Sequence, residues 1–236
     1  MKILLCITSL GVGGAERLLT GLADHFVAKG HDVTLAYFQG PADLKPTDSR
    51  VRLVDLGMTR RPLAVARSLS RLRRLGLEFD PDVVNSHLVH ANILLRLLKM
   101  VTPMPRLVSS AHNTNEESRL RMLAYRLTDR LADISTNVSE EAVQAFIDQG
   151  ALRPGRMVTI PNGIDAQKFV FDGAARERIR EELAIDGTAP VLLAVGGGGA
   201  VAALVGPIHG INLGFVAPLL GLGVDYWIHL YVEAAA

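Results

Sequence analysis

The sequence predicts an α/β fold, a doubly wound Rossmann-like parallel sheet, from three observations. Apolar runs of strand length alternate with longer segments of helical period along the first 165 residues. The first run, "KILLCITSL", is apolar without alternation, as suits a strand buried on both faces of a parallel sheet. Between that run and the first helical segment stands "GVGGAERLL", a glycine-rich turn that opens directly into a helix. Regular alternation of this kind builds right-handed crossovers between parallel strands.

The elements follow in order. After the first strand, Leu18, Leu22 and Phe26 recur every fourth residue between Ala15 and Lys29, which predicts a helix with that stripe inward and Gly30 at its end. "HDVTLAYF" and "VRLVDL" read as the second and third strands. From Pro62 to Leu75 a helix carries Val65, Leu69 and Leu72 on one side and Arg67, Arg71 and Arg74 on another. The Asp80-Pro81 break precedes the strand "DVVNSH", and "HANILLRLLKM" is the helix behind it. "RLVSSAH" is the next strand, followed by an arginine-rich helix from about Glu116 to Leu131. "ADISTNVS", a helix from Glu140 to about Asp148, and "RMVTIPNG" complete a domain that ends near residue 165. Residues 166–195, with the helix "AARERIREEL" and the strand "PVLLAV", read as the start of a second α/β domain.

Composition bounds the function. A chain of 236 residues with 49% hydrophobic residues buries one ample core. A net charge of +1 gives no overall pull toward nucleic acid, so none is expected as a partner. The lone Cys6 sits in the first apolar run and is expected to pack as a small hydrophobe in a reducing, cytoplasmic setting. Lys2 and the run behind it have the flavour of a leader peptide, but the following helix and strand need that run as their neighbour, so it is read as a strand.

The glycine turn lets main-chain amides approach an anion, with the partial positive charge of a helix N-terminus behind them. A dinucleotide fingerprint is disfavoured: Gly11 and Gly13 fit its first two glycines, but Glu16 stands at the third and the second strand ends "LAYFQG" without an acidic residue. No P-loop lysine follows. The plain alternative is a tight turn whose glycines only permit close packing, with Glu16 favouring the helix N-terminus.

"GVGGAERLL", "VVNSHLVHAN", "LVSSAHN", "NVSEEAVQAF" and "IPNGIDAQKF" occur in the order seen in family 4 glycosyltransferases of the two-domain GT-B type, and residues 1 to about 195 resemble the N-terminal, acceptor-side domain of that group. The resemblance implies a retaining transfer from a sugar nucleotide to a glycan or lipid-linked acceptor, with no cofactor or metal, in which the departing phosphate takes the acceptor proton. It implies that Gly13 and Gly14 clear space for the donor and that Glu16 and Arg17 shape the acceptor side. It makes His112, at a strand's carboxyl edge, the catalytic candidate, donating a hydrogen bond to a sugar hydroxyl or to developing charge. The alternative is a histidine satisfied by loop carbonyls. His87 and His90 flank another strand end, as acceptor contacts or ordinary loop residues. "PNGID" is expected to be the crossover between domains, with Pro161 stiffening it, Gly163 free to take an unusual backbone angle, and Asn162 within reach of ligand.

Arg60, Arg61, Arg67, Arg71 and Arg74, with Arg119, Arg121, Arg126 and Arg130, form basic faces that suit either solvation or an anionic membrane at the inner face of the plasma membrane. The family pattern then breaks. Related enzymes follow the strand matching "VLLAVG" with an Arg and a Lys that neutralise the diphosphate, whereas here the chain continues "GGGAVAAL". From Thr188 to Val224 there is no Asp, Glu, Lys or Arg. Residues 196–236 are therefore read as a glycine-rich apolar tail, of which about 200–233 resembles a membrane segment of resistance-nodulation-division exporters. Two expectations result: an acceptor-side transferase domain with an incomplete donor site and little activity alone, or a non-catalytic, membrane-associated binding protein that keeps only the Rossmann-like domain. A nucleotide-binding oxidoreductase is third.

Overall fold

The computed structural model describes residues 1–116, 118–163, 170–189, 191–196 and 199–203. It divides into two compact units, Met1–Ile164 and Asp165–Ala236. The first is a sheet of seven parallel strands: β1 (Lys2–Leu10), β2 (Asp32–Ala42), β3 (Arg52–Asp55), β4 (Val83–His87), β5 (Leu107–Ser110), β6 (Ile134–Asn137) and β7 (Met157–Thr159). They lie in the order β3-β2-β1-β4-β5-β6-β7. The chain winds outward from β1 in one direction, then returns past it and winds in the other. The strand order thus reverses between β1 and β4, where open α/β sheets form a crevice at their carboxyl ends.

The apolar first strand is buried on both faces, as its lack of alternation requires. Ile3, Leu5 and Ile7 point to helix α1 (Gly14–Ala28), which meets them with Leu19, Ala23 and Val27. The helix lies one residue out of phase with the expected stripe: Leu18, Leu22 and Phe26 flank the contact, half-buried, because Ala23 lets the backbone come close to the sheet. Leu4, Cys6 and Val84 point the other way, to α2 (Pro62–Phe79) and α3 (Val89–Lys99) through Leu72, Leu75, Phe79, Leu95 and Leu98. Pro62 starts α2 where its missing N–H costs nothing, and the helix runs four residues past the expected end, to Phe79. Cys6 is fully buried there, and burial pushes its thiol far up from the ordinary range.

A third cluster joins α4 (Arg119–Thr128) and α5 (Glu140–Asp148) to β7 through Met122, Tyr125, Phe146 and Met157. Ser139 caps α5, its side chain accepting from the Ala142 N–H at 3.1 Å. The helix expected from Glu116 begins instead at Arg119 and ends in a 3-10 turn, Asp129–Leu131. Between α4 and the sheet lies a buried polar layer. Ser86, Ser109 and Ser135 are register partners on β4, β5 and β6, and Arg96 of α3 crosses them without any exposure. Its guanidinium donates to Ser109 Oγ at 3.0 Å and Ser135 Oγ at 2.9 Å, and sits 4.7 Å from the centre of the Tyr125 ring.

In the second unit α6 (Gly173–Glu182) is capped by Asp172, which accepts from the Ala175 N–H. Arg180 turns inward and donates to the carbonyls of Asp186 and Ala189. The expected strand is present as β8 (Leu192–Gly196), but its partner β9 (Gly199–Ala203) is antiparallel, inside the stretch read as tail. The rest of the exporter-like segment, from residue 204, lies outside the described residues. Gly163, read as free to take an unusual angle, is not in the left-handed region, whereas Gly57 (φ +64) and Gly30 (φ +84) are.

Candidate functional site

The carboxyl ends of β1, β4 and β5 converge where the strand order reverses, and an open depression of about 190 Å³ lies there. Thr8, Leu88, Val89, His90, Asn113, Glu116 and Arg121 line it. Thr8 is fixed from the side, its Oγ1 accepting from the Ala91 N–H at 3.3 Å in the first turn of α3. Leu88 makes the turn from β4 into α3 with φ 70 and ψ 155. A branched residue with positive φ is strained by about 1–3 kcal/mol, a cost that structures concentrate at sites of function.

The two histidines singled out on strand ends are brought together. His87 Nδ1 and His112 Nε2 are 2.9 Å apart, and His87 Nε2 is 2.7 Å from Asn85 Oδ1. Asn85 lies two residues before His87 on β4 and so shares its face. Burial holds His87 down to about 3, with the nearby His112 adding to the effect, and holds His112 down to about 4. Both rings are therefore neutral at physiological pH. His112 Nδ1 is buried and has no hydrogen-bond partner among the described residues. His90 is exposed in the first turn of α3, its basicity lowered by burial of part of the ring and by the charge of Arg121.

Glu116 is the buried acid of the depression. Its Oε1 accepts from Tyr125 Oη at 3.3 Å, and Tyr125 Oη accepts from Asn92 Nδ2 at 2.7 Å. Asn92 Oδ1 in turn accepts from Ser86 Oγ at 2.7 Å. The wall of the depression is thus tied through α3 to the serine layer of the sheet. Burial and the adjacent Glu116 carboxylate push the Tyr125 phenol far up, so it stays a neutral donor.

Of the expected site residues only His90 lines the depression; His87 and His112 are chain neighbours of its lining residues Leu88 and Asn113, and the others lie off it. Gly13 is the N-cap of α1 in extended backbone that any residue adopts. What fills the space above it is Glu16: a Cβ on Gly13 would stand 2.3 Å from Glu16 Oε2. Partial burial raises the Glu16 carboxyl, and its own N–H works against that rise. Gly14 faces open space, Arg17 is exposed, and Asn162 is exposed on the segment after β7. Among the described residues no three His, Cys, Asp or Glu side chains gather as a metal site needs. Asn85, Asn113 and Glu116 escaped the sequence reading. Asn85 had a usable signal, its position two residues before a strand-end histidine.

The family profile described as Glycosyltransferase Family 4 matches residues 12–168. The chain belongs to glycosyltransferase family 4. The motifs that carried the resemblance lie largely inside the matched region. Among curated proteins none matches the sequence. Solved structures share the fold at low identity. The Anabaena protein Alr3699/HepE in complex with UDP-glucose is 21% identical, with a TM-score of 0.64 over 78% of this chain and 50% of that one. Sucrose-phosphate synthase from Thermosynechococcus elongatus is 14% identical, with a TM-score of 0.67 over 83% of this chain and 56% of that one. A Rickettsia africae glycosyltransferase is also 14% identical, with a TM-score of 0.67 over 80% and 51%. The chain spans about half the length of these structures.

Proposed function

We propose that this family 4 chain is the acceptor-side half of a retaining, sugar-nucleotide-dependent glycosyltransferase, needing no cofactor, and that unaided it transfers poorly. The observation that carries the proposal is the depression at the strand-order reversal, lined by His90, Asn113, Glu116 and Arg121, with the paired His87 and His112 each next in the chain to a lining residue, Leu88 and Asn113. Neutral histidines, an amide and a carboxylate suit a polyhydroxylated ligand. The UDP-glucose complex of the Anabaena neighbour supports a sugar nucleotide as donor. Poor activity is expected because stabilising the leaving diphosphate is the main electrostatic task of the transfer, and "VLLAVGGGGAVAAL" offers it no cation.

The test is calorimetric binding and turnover of UDP- and GDP-sugars by this chain and by a version extended with a complete donor-binding domain. We expect weak binding and little turnover for the shorter form and a large gain for the longer. Equal binding and turnover by both would refute the proposal.

A specific observation also favours a peripheral place on an anionic membrane. The outer face of α4 exposes Leu120 (76%), Leu123 (47%) and Leu127 (74%), interleaved with the exposed Arg119 and Arg126 and followed by the exposed Arg130 of the 3-10 turn. Apolar side chains among arginines on one helix face fit the boundary of an anionic bilayer. Among the described residues no helix is long and apolar enough to cross one. Sedimentation with phosphatidylglycerol vesicles is expected to carry the chain down, and Leu120→Ser with Leu127→Ser to release it. Equal sedimentation of wild type and double variant would remove the membrane from the proposal.

A further inference from the structure

We propose that Asn85 and His87 are positioning residues that fix the polarity of His112, leaving its Nδ1 as a hydrogen-bond acceptor for a ligand hydroxyl. The expectation from sequence was the reverse, a histidine that donates. The chain of constraint begins at a backbone carbonyl, which can only accept. The Val108 oxygen lies 3.2 Å from the Asn85 amide group, so the Asn85 atom facing it is the NH2. The same nitrogen donates to Ser110 Oγ at 3.0 Å, which also accepts from Thr136 Oγ1 at 2.9 Å. The other end of the Asn85 amide, Oδ1, is then an acceptor, and His87 Nε2 at 2.7 Å from it carries the proton.

His87 is buried and neutral, so a proton on Nε2 leaves Nδ1 as a bare lone pair. At 2.9 Å from that lone pair, His112 Nε2 must be an N–H, since two lone pairs repel at this separation. His112, with one proton and that proton on Nε2, presents an unprotonated Nδ1. That nitrogen is enclosed and has no partner among the described residues, and the next residue, Asn113, lines the depression. An unmet buried acceptor is costly, and a hydroxyl donating to it recovers the cost. A ligand with a carbonyl, ether or fluorine at that place meets a lone pair instead.

The identity of the ligand as a sugar rests on the function proposed above; the polarity does not. The test is long-range proton–nitrogen correlation NMR on the full chain labelled with nitrogen-15 histidine near pH 7, assigned with His87→Gln and His112→Gln. Both histidines are expected as Nε2–H tautomers with a pyridine-type Nδ1. In Asn85→Leu, of similar shape but without the acceptor, His112 is expected to gain a population protonated at Nδ1. A wild-type His112 protonated at Nδ1, or a cationic ring at either position, overturns the proposal. So does a folded Asn85→Leu with an unchanged His112. If that variant does not fold, the wild-type spectrum still decides. On titration with UDP-glucose the His112 Nδ1 resonance is expected to move away from the pyridine-type position. Binding without that movement refutes the hydroxyl contact. Absence of UDP-glucose binding even at millimolar ligand, where the weak binding expected of this chain registers, counts against the donor assignment and leaves the tautomer to be judged by the unliganded spectra.

Discussion

Replacing Arg96 probes the polar layer that ties α4, and with it Glu116 and Arg121, to the sheet. The guanidinium makes four donor contacts, to Ser109 Oγ, Ser135 Oγ, Thr128 Oγ1 and the Tyr125 carbonyl. Three of those acceptors keep other partners: Ser109 meets Ser86 at 3.2 Å, Thr128 bonds the Ala124 carbonyl at 2.7 Å, and the Tyr125 carbonyl also accepts from Thr128 Oγ1 at 3.5 Å. In Arg96→Ala, Ser135 Oγ loses its donor, at about 1–3 kcal/mol, and the Tyr125 carbonyl keeps Thr128 Oγ1 as its side-chain donor, at a cost of about 1 kcal/mol. The cavity left by the stem adds about 2 kcal/mol. Against this gross loss of about 4–6 kcal/mol stands the relief of a desolvation penalty, since no carboxylate touches the ion. Burial lowers the basicity of Arg96, in line with that penalty. A net loss of about 2–4 kcal/mol follows, which lowers Tm by roughly 4–16 °C in a domain of this size. Arg96→Met keeps the stem and drops the charge, so it is expected to lose about half as much. Arg96→Lys keeps a buried charge with fewer donors and is expected to be the least stable of the three. Urea melts and thermal scans measure all three. An Arg96→Lys protein within about 2 °C of wild type would refute the reasoning, because the planar fork is the only feature it lacks.

Two further predictions concern the histidine pair and the glycines. Because His87 and His112 titrate well below an ordinary histidine, the unfolded chain takes up protons that the native chain refuses once the pH drops below about 6.5. Stability is therefore expected to fall by about 2–4 kcal/mol between pH 7 and pH 5. Urea titrations at stepped pH read this fall, and a pH slope as steep in His87→Gln with His112→Gln contradicts it. Gly57→Ala places a Cβ in the left-handed region 2.7 Å from Arg71 Nη1, and is expected to cost about 1–2 kcal/mol. Gly13→Ala, in extended backbone, displaces only the flexible Glu16 side chain and is expected to cost under about 0.5 kcal/mol in the same thermal scan.

The strands were legible because a parallel interior strand has no polar face to confuse the reading, and β1 is the clearest case. Phase was harder. In α1 the sequence offers a large apolar stripe through Leu18, Leu22 and Phe26, yet the sheet takes the neighbouring one, where Ala23 allows closer approach. Glu116 resembled the acidic start of a helix, but its carboxylate turns inward to Tyr125, and the helix waits until Arg119. The serine layer was not legible at all. Ser86, Ser109 and Ser135 are far apart in the chain, and only the register of three parallel strands puts them in one row under Arg96. The same is true of His87 and His112. Each was visible as a strand-end histidine, but the bond between them depends on β4 and β5 being neighbours.

Apart from the phase of α1, these failures fall at β4, β5 and β6, and that distribution has a physical reason. β1 and β2 are apolar on both faces and supply much of the burial that holds the sheet. β4, β5 and β6 instead carry serines toward the helices and Asn85, His87, Ser110 and Thr136 on the opposite face. Polar groups in so dry a place are tolerated only when each finds a partner in a fixed orientation, and the bonds through Asn85 and Arg96 supply that. The orientation that satisfies them also fixes which atoms remain to meet a ligand. The unpartnered His112 Nδ1 is the place where the network stops, and it stops beside the reversal of strand order where the crevice opens. Local patterning misreads such strands because their residues were set by a site and its supports, and the core was left to their neighbours.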